Sequence, residues 1–137
     1  MNKFHSENNE LLPRRSTLKS AGYDFISPET FIVPAHGEAL IDSKVSIELD
    51  DDKVLMCYVR SSYGFKYGIT LSNSTGIIDA DFYPNTIKCK LKNNSDNDFV
   101  VSVGDKYMQG IIMKYYVADD EITPTTIRDS GIGSTGK

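Results

Sequence analysis

A chain of 137 residues, 39% hydrophobic and 25% charged, has the size and composition of one soluble globular domain, with room for a single core and hardly for two. A formal net charge of −4 and a pI of about 5.1 exclude a broad nucleic-acid-binding face, which depends on neutralising many phosphates, but leave room for a small phosphorylated ligand held by a few donors. No apolar run approaches membrane-spanning length, so neither nucleic acid nor membrane is expected as a partner.

The segment up to Lys19 is charged and irregular. Its first residues, Met1-Asn2-Lys3-Phe4-His5-Ser6-Glu7, lack the apolar core of a secretory signal, which predicts a cytoplasmic protein. His5 and His36 are isolated, so no zinc site assembles from them. Short runs with period-two alternation follow: Phe31-Ile32-Val33; Val45, Ile47 and Leu49; Val54 to Val59; Ile87, Cys89 and Leu91; Phe99 to Val103; and Tyr107 to Tyr116. Gly, Asn, Asp or Pro clusters bound each run, and no helical period is sustained. Many short strands predict an all-β sandwich, barrel or jelly roll. Cys57 and Cys89 fall within strand patterns and read as reduced core residues. The clusters Asp50-Asp51-Asp52 and Asp119-Asp120-Glu121 lack calcium-loop spacing and read as solvated turns. The glycosylation patterns at Asn73 and Asn93 are empty without secretion. Residues 1–127 are predicted to form the β domain, and 128–137 a flexible Gly/Ser/Thr-rich C-terminal arm.

Several segments carry chemistry. Gly76-Ile77-Ile78-Asp79-Ala80-Asp81-Phe82-Tyr83 places a carboxylate behind two β-branched residues, after the turn chemistry of Asn73-Ser74-Thr75. Asp79 is therefore expected on a strand leaving a tight hairpin, partly desolvated. These residues alone fit equally a turn aspartate capping its own backbone and a catalytic carboxylate. Arg60-Ser61-Ser62, at the end of the Val54 to Val59 strand, offers a guanidinium and two hydroxyls to a phosphate chain, although a solvated loop explains such a triplet as well. Gly104-Asp105-Lys106-Tyr107-Met108-Gln109 is a turn leading into a strand, and Gln109 fits a satisfied core amide. The tail Gly131-Ile132-Gly133-Ser134-Thr135-Gly136-Lys137 imitates a phosphate loop, yet lacks the Ser/Thr and the helix that make such a loop work. Its glycines and hydroxyls suit an arm that wraps phosphates, or simply a disordered end.

Together with Asp24 in Ala21-Gly22-Tyr23-Asp24, these segments occur in the order of the five motifs of the trimeric dUTP nucleotidohydrolases, which the chain resembles from about Ala21 to its last residue. Arg60-Ser61-Ser62, Phe82-Tyr83 and Gln109-Gly110-Ile111-Ile112-Met113-Lys114-Tyr115 look especially like members from Gram-positive bacteria and their phages. The resemblance implies a β jelly-roll homotrimer whose active sites take parts from all three subunits, and hydrolysis of dUTP to dUMP and pyrophosphate. Asp79 would be the general base that activates water for attack on the α-phosphorus. Arg60, Ser61, Ser62, Gln109, Arg128, Gly133, Ser134 and Thr135 would bind phosphates. Asn73, Gly76, Ile78, Phe82, Tyr83 and Ile132 would line the nucleoside, with Phe82 or Tyr83 under the deoxyribose. Mg²⁺ would be held chiefly by phosphate oxygens and waters, with Asp24 acting through a metal-bound water or by structural hydrogen bonds.

Departures from the family pattern are Phe82 where most members carry tyrosine, Ile132 where most carry a phenylalanine that lids the uracil, and Lys106 for arginine. Phe82 and Ile132, both in the nucleoside pocket, motivate an alternative, a regulatory or binding protein on the same scaffold; phage members can carry an additional protein partner. A dCTP deaminase of this fold would need a further arginine after the serines and a catalytic glutamate, where Tyr63-Gly64-Phe65 and Asp79 stand.

Overall fold

Alternation becomes strand wherever one face can be buried. The computed structural model describes residues 1–128. In chain order it contains β1 (Lys3–His5), a 3₁₀ turn (Asn9–Leu11), β2 (Arg14–Arg15), β3 (Tyr23–Ile26), β4 (Phe31–Val33), β5 (Glu38–Asp42), β6 (Ser46–Glu48), β7 (Lys53–Tyr58) and α1 (Ser61–Tyr67). There follow β8 (Ile69–Leu71), β9 (Gly76–Ile78), a second 3₁₀ turn (Ala80–Phe82), β10 (Lys88–Asn93), β11 (Phe99–Val101) and β12 (Lys106–Lys114). In β10, Cys89, Leu91 and Asn93 are buried while Lys88, Lys90 and Lys92 are exposed, the period-two pattern expected of a half-buried strand.

The largest sheet has the order β2-β3-β12-β7-β9, and its neighbours run antiparallel. A second sheet is ordered β5-β10-β8, and two ribbons pair β1 with β6 and β4 with β11. These layers close on a core in which Phe25, Val33, Leu55, Ile69, Leu91 and Tyr107 are 0% exposed. Each such side chain contributes roughly 1.5–3 kcal/mol through burial. The architecture is the expected all-β, jelly-roll-like one.

Two local expectations are corrected. The start of the chain is structured: β1 pairs with β6, and the Phe4 ring lies 5.3 Å from Tyr23 and 5.9 Å from Phe25. A three-residue strand with one apolar anchor is too short to show a period. A helix, α1, also interrupts the strands. It begins at Ser61, buries Tyr63 against Phe99 with ring centroids 5.0 Å apart, and ends at Gly68, whose φ of 66° is the left-handed conformation that stops helices. Seven residues span barely two turns, so its period could not be read either.

Candidate active site

The strand register gathers one group of predicted residues. Gln109 on β12 lies opposite Asp24 on β3 and Tyr58 on β7, so the amide, the carboxylate and the exit of β7 towards Arg60 share one end of the sheet. They line a cleft of about 520 Å³ together with Ser61, Ser62, Gly22, Ser16, Ser20 and Ile111. Gln109 Nε2 donates to the Val59 carbonyl at 3.2 Å, which aims the amide along the cleft wall. A Cβ on Gly22 would overlap Gln109 Oε1, so a larger residue there requires the Gln109 side chain to shift.

Asp24 is the acid lining this cleft, and it is 7% exposed. Ser16 Oγ donates to its Oδ2 at 2.6 Å, Lys106 Nζ lies 3.7 Å from the same oxygen, and Arg60 Nε lies 3.6 Å from Oδ1. Oδ2 is thus hydrogen-bonded, while Oδ1 faces the Arg60 charge. A buried carboxylate needs such partners, and in return it fixes two cations at the cleft. Ser16 and Ser20 escaped the sequence reading because their cue is an ordinary Ser/Thr turn, closed by Ser20 N to Thr17 O at 3.2 Å and Thr17 N to Ser20 Oγ at 3.1 Å. A larger cleft of about 810 Å³ lies elsewhere, between residues 3–12 and Asp42, Lys44, Ser46, Pro84 and Thr86. It contains none of the predicted side chains, and size alone does not make it the site.

The Asp79 segment stands apart. β9 is an edge strand beside β7, with Gly76 opposite Cys57 and Ile78 opposite Leu55. A Cβ on Gly76 would come within 3.0 Å of the Cys57 Cβ, so glycine permits the close approach. The expected hairpin is not one: β8 pairs with β10 and β9 with β7, so the turn at Asn73 to Thr75 carries the chain from one sheet to another. Turn chemistry was read correctly, and Ser74 has a φ of 66°, but local residues do not reveal which strands pair.

Asp79 follows β9 in extended conformation and opens the turn Ala80–Phe82, with Phe82 N donating to its carbonyl at 3.1 Å. Its side chain makes no capping bond, which removes the capping alternative. Contrary to expectation the carboxylate is not desolvated; it is 50% exposed, because it lies just past the end of an edge strand. Arg128 Nη2 donates to Asp79 Oδ2 at 2.8 Å, and Arg128 Nε to Asp81 Oδ1 at 2.8 Å. The Asp81 hydrogen bond, ahead of the charges of Asp81 and Asp79, holds the Arg128 pKa above its ordinary value. Arg128, expected at phosphates, thus sits on carboxylates here, and the domain boundary drawn before it separates residues that touch. Phe82 is half-buried against the core, whereas Tyr83 is exposed and its ring lies 5.4 Å from His5. Ile132, Gly133, Ser134 and Thr135, expected at the nucleoside and the phosphates, lie outside the described residues.

The two groups do not meet within one chain. Ile78 lies opposite Leu55, so Asp79 falls beside Val54, six residues before Arg60 along an extended backbone. At about 3.3 Å per residue that is roughly 20 Å.

The sequence profile of the family described as dUTPase matches residues 8–136. A deoxyuridine 5'-triphosphate nucleotidohydrolase of Lactococcus lactis is 37% identical over 131 residues, 91% of this chain and 87% of the relative. One from Debaryomyces hansenii is 34% identical over 140 residues, 98% of this chain and 86% of the relative. Among solved structures, the dUTPase of Streptococcus mutans superposes with a TM-score of 0.78 at 32% identity, covering 85% of this chain and 98% of that one. The fold alone is shared, at 20% identity and a TM-score of 0.77 over 90% of this chain and 96% of that one, with a Staphylococcus aureus phage phi11 dUTPase that coordinates a structural Mg(II) ion. The match spans both the Asp24–Arg60–Gln109 cleft and the Asp79 segment, and on that ground the chain belongs to the dUTPase family.

Proposed function

We propose that the protein hydrolyses dUTP to dUMP and pyrophosphate at sites shared between copies of the chain in a homotrimer. The observation that carries this reading is the separation just described: the phosphate donors and the carboxylate of one chain lie about 20 Å apart along antiparallel strands, a distance that a second copy bridges by presenting its cleft to the Asp79 segment of the first. The family match at 37% identity supplies the substrate.

In this reading Asp79 accepts a proton from a water as its oxygen bonds to the α-phosphorus. The bond from that phosphorus to the bridging oxygen breaks in line, and pyrophosphate leaves. Arg60, Ser61, Ser62 and Gln109 of another copy hold the triphosphate. Asp24 serves by fixing Arg60 and Lys106 at 3.6 and 3.7 Å, and any part it takes in holding an ion runs through a metal-bound water. Among the described residues no cluster of three acids, histidines or cysteines could hold a metal. Mg²⁺ therefore fits only as an ion carried in on the phosphate oxygens, where it would neutralise charge on the triphosphate. Phe82 is the ring for the deoxyribose, because Tyr83 is turned to His5. The main chain of Asn73 to Gly76 and the Ile78 side chain face the base. Arg128 leads into the arm 128–137, whose Gly133, Ser134 and Thr135 are proposed to bind phosphates and whose Ile132 is proposed to bind the nucleoside.

A deaminase is disfavoured by Tyr63: where that relative places a further arginine, a ring 6% exposed packs into the core. Hydrolysis of dUTP, dCTP, dTTP and UTP should be compared with Mg²⁺ present. Pyrophosphate from dUTP alone is expected; ammonia from dCTP, or no turnover of dUTP, would overturn the reading.

A further inference from the structure

Among the described residues the Asp24 carboxylate receives a single hydrogen bond, from Ser16 Oγ at 2.6 Å. Its two cations stand further off, Lys106 Nζ at 3.7 Å from Oδ2 and Arg60 Nε at 3.6 Å from Oδ1, distances at which charges attract without fixing an angle. One hydroxyl therefore sets the rotation of a buried carboxylate. Ser16 also accepts: Lys106 Nζ donates to the same Oγ over 3.4 Å. A hydroxyl has one proton to give and two lone pairs to accept with, so it can stand between an ammonium and a carboxylate and bond both.

The backbone delivers these groups from both sides of β3. β2 pairs with β3 through Arg14 and Arg15, and Ser16 is the next residue, just before the chain turns away. Arg15 Nη1 fastens that turn by donating to the Leu18 and Ser20 carbonyls at 2.8 and 3.3 Å. On the other side, β12 carries a bulge: Lys106 pairs with Ile26 and Gln109 with Asp24, three steps of β12 against two of β3. On a regular strand Lys106 and Gln109 would point to opposite faces; the extra residue turns both towards Asp24. Since β2, β3, β12 and β7 are neighbours in one sheet, Ser16, Asp24, Lys106 and Arg60 come together within each copy of the chain.

We propose that Ser16 is a positioning residue of the phosphate cleft: its hydroxyl takes a hydrogen bond from Lys106 and gives one to Asp24, which sets the carboxylate plane and thereby where Lys106 and Arg60 present their charge to the triphosphate. The proposal rests on the reading of this cleft as the phosphate site.

Ser16→Ala, Ser16→Thr, Lys106→Met and the double variant Ser16→Ala/Lys106→Met should be compared in the full-length protein. Ser16 is exposed, so the alanine variant keeps its fold, with a thermal midpoint within about 2 °C of the wild type. Its KM for dUTP should rise about tenfold, the scale of one hydrogen bond to a charged group, while kcat changes less than about twofold. Threonine, which retains the hydroxyl, should bring KM back to within about twofold of the wild type. The double variant should lose less than the product of the single losses, since both changes act on Asp24 Oδ2. An unchanged KM in Ser16→Ala, no recovery in Ser16→Thr, or losses that multiply would overturn the proposal. Calorimetric binding of α,β-imido-dUTP with Mg²⁺ needs no turnover, and Ser16→Ala should bind it about tenfold more weakly. Wild-type protein that neither hydrolyses dUTP nor binds the imido analogue would remove the reading of the cleft, whereas an active wild type matched by Ser16→Ala would remove only the role of Ser16.

Discussion

At the scale of single residues, the structure gives neighbouring side chains distinct tasks. Asp79 makes no capping bond to its own backbone, and among the described residues one of its oxygens has no hydrogen-bond partner. Asp79→Asn should therefore lower kcat/KM for dUTP by about 10²–10⁴-fold, the range for loss of a general base, while leaving the thermal midpoint nearly unchanged; pyrophosphate release and a melting curve check the two halves. Gly22 makes a complementary case. A methyl there pushes Gln109 off its bond to Val59, so Gly22→Ala is expected to raise KM for dUTP severalfold without removing the base. An intact KM would mean that Gln109 has another way to reach the phosphates.

At the scale of elements, β7 and β12 fix everything that matters for the site. Leu55 on β7 is 0% exposed and touches Gly110 on β12, where an added Cβ would meet it at 2.9 Å. Leu55→Ala should destabilise the fold by about 2–5 kcal/mol in urea or thermal unfolding. Cys57, on the same strand, has its thiol pushed up to about 12 by burial, and burial joined by the Asp105 charge pushes the Tyr63 hydroxyl up to about 12. A folded pKa raised above the ordinary value of 9.0 for the thiol means that the folded protein keeps a proton that the unfolded chain has lost. The associated stability is complete below pH 9 for Cys57 and below pH 10 for Tyr63, and each contribution falls by about 1.4 kcal/mol per pH unit from there up to about pH 12. A thermal midpoint flat up to pH 8.5 that drops steeply above pH 9 is the expected profile.

Legibility followed the same scale. The alternation of Ile87, Cys89 and Leu91 with three lysines was readable because one face is buried and the other wet. The motif residues were readable because their order resembles a family's. The α1 helix and the β1 strand were not, since each is too short to show a period, and the sheet change at Asn73 to Thr75 was not, since strand pairing depends on partners distant in sequence. The Arg128 contact with Asp79 and Asp81 bridges 49 and 47 residues, and no local pattern encodes it.

For the whole molecule, the proposed homotrimer, with base and donors far apart in each chain, would make activity a property of the assembly. Two inactive variants, Asp79→Asn and Arg60→Ala, should regain activity when unfolded together and refolded as a mixture, because some shared sites then combine an intact Asp79 with an intact Arg60. Mixtures as inactive as their components would place both groups of every working site on one chain. The N-terminal strand bears on how such samples are prepared. Phe4 wedges against Tyr23 and Phe25, the neighbours of Asp24, while His5 lies against Tyr83, the neighbour of Phe82. Both contacts reach segments of the proposed site, so trimming these residues or threading a purification tag through them is expected to lower dUTP turnover, and labels are better carried on the exposed lysines of β10.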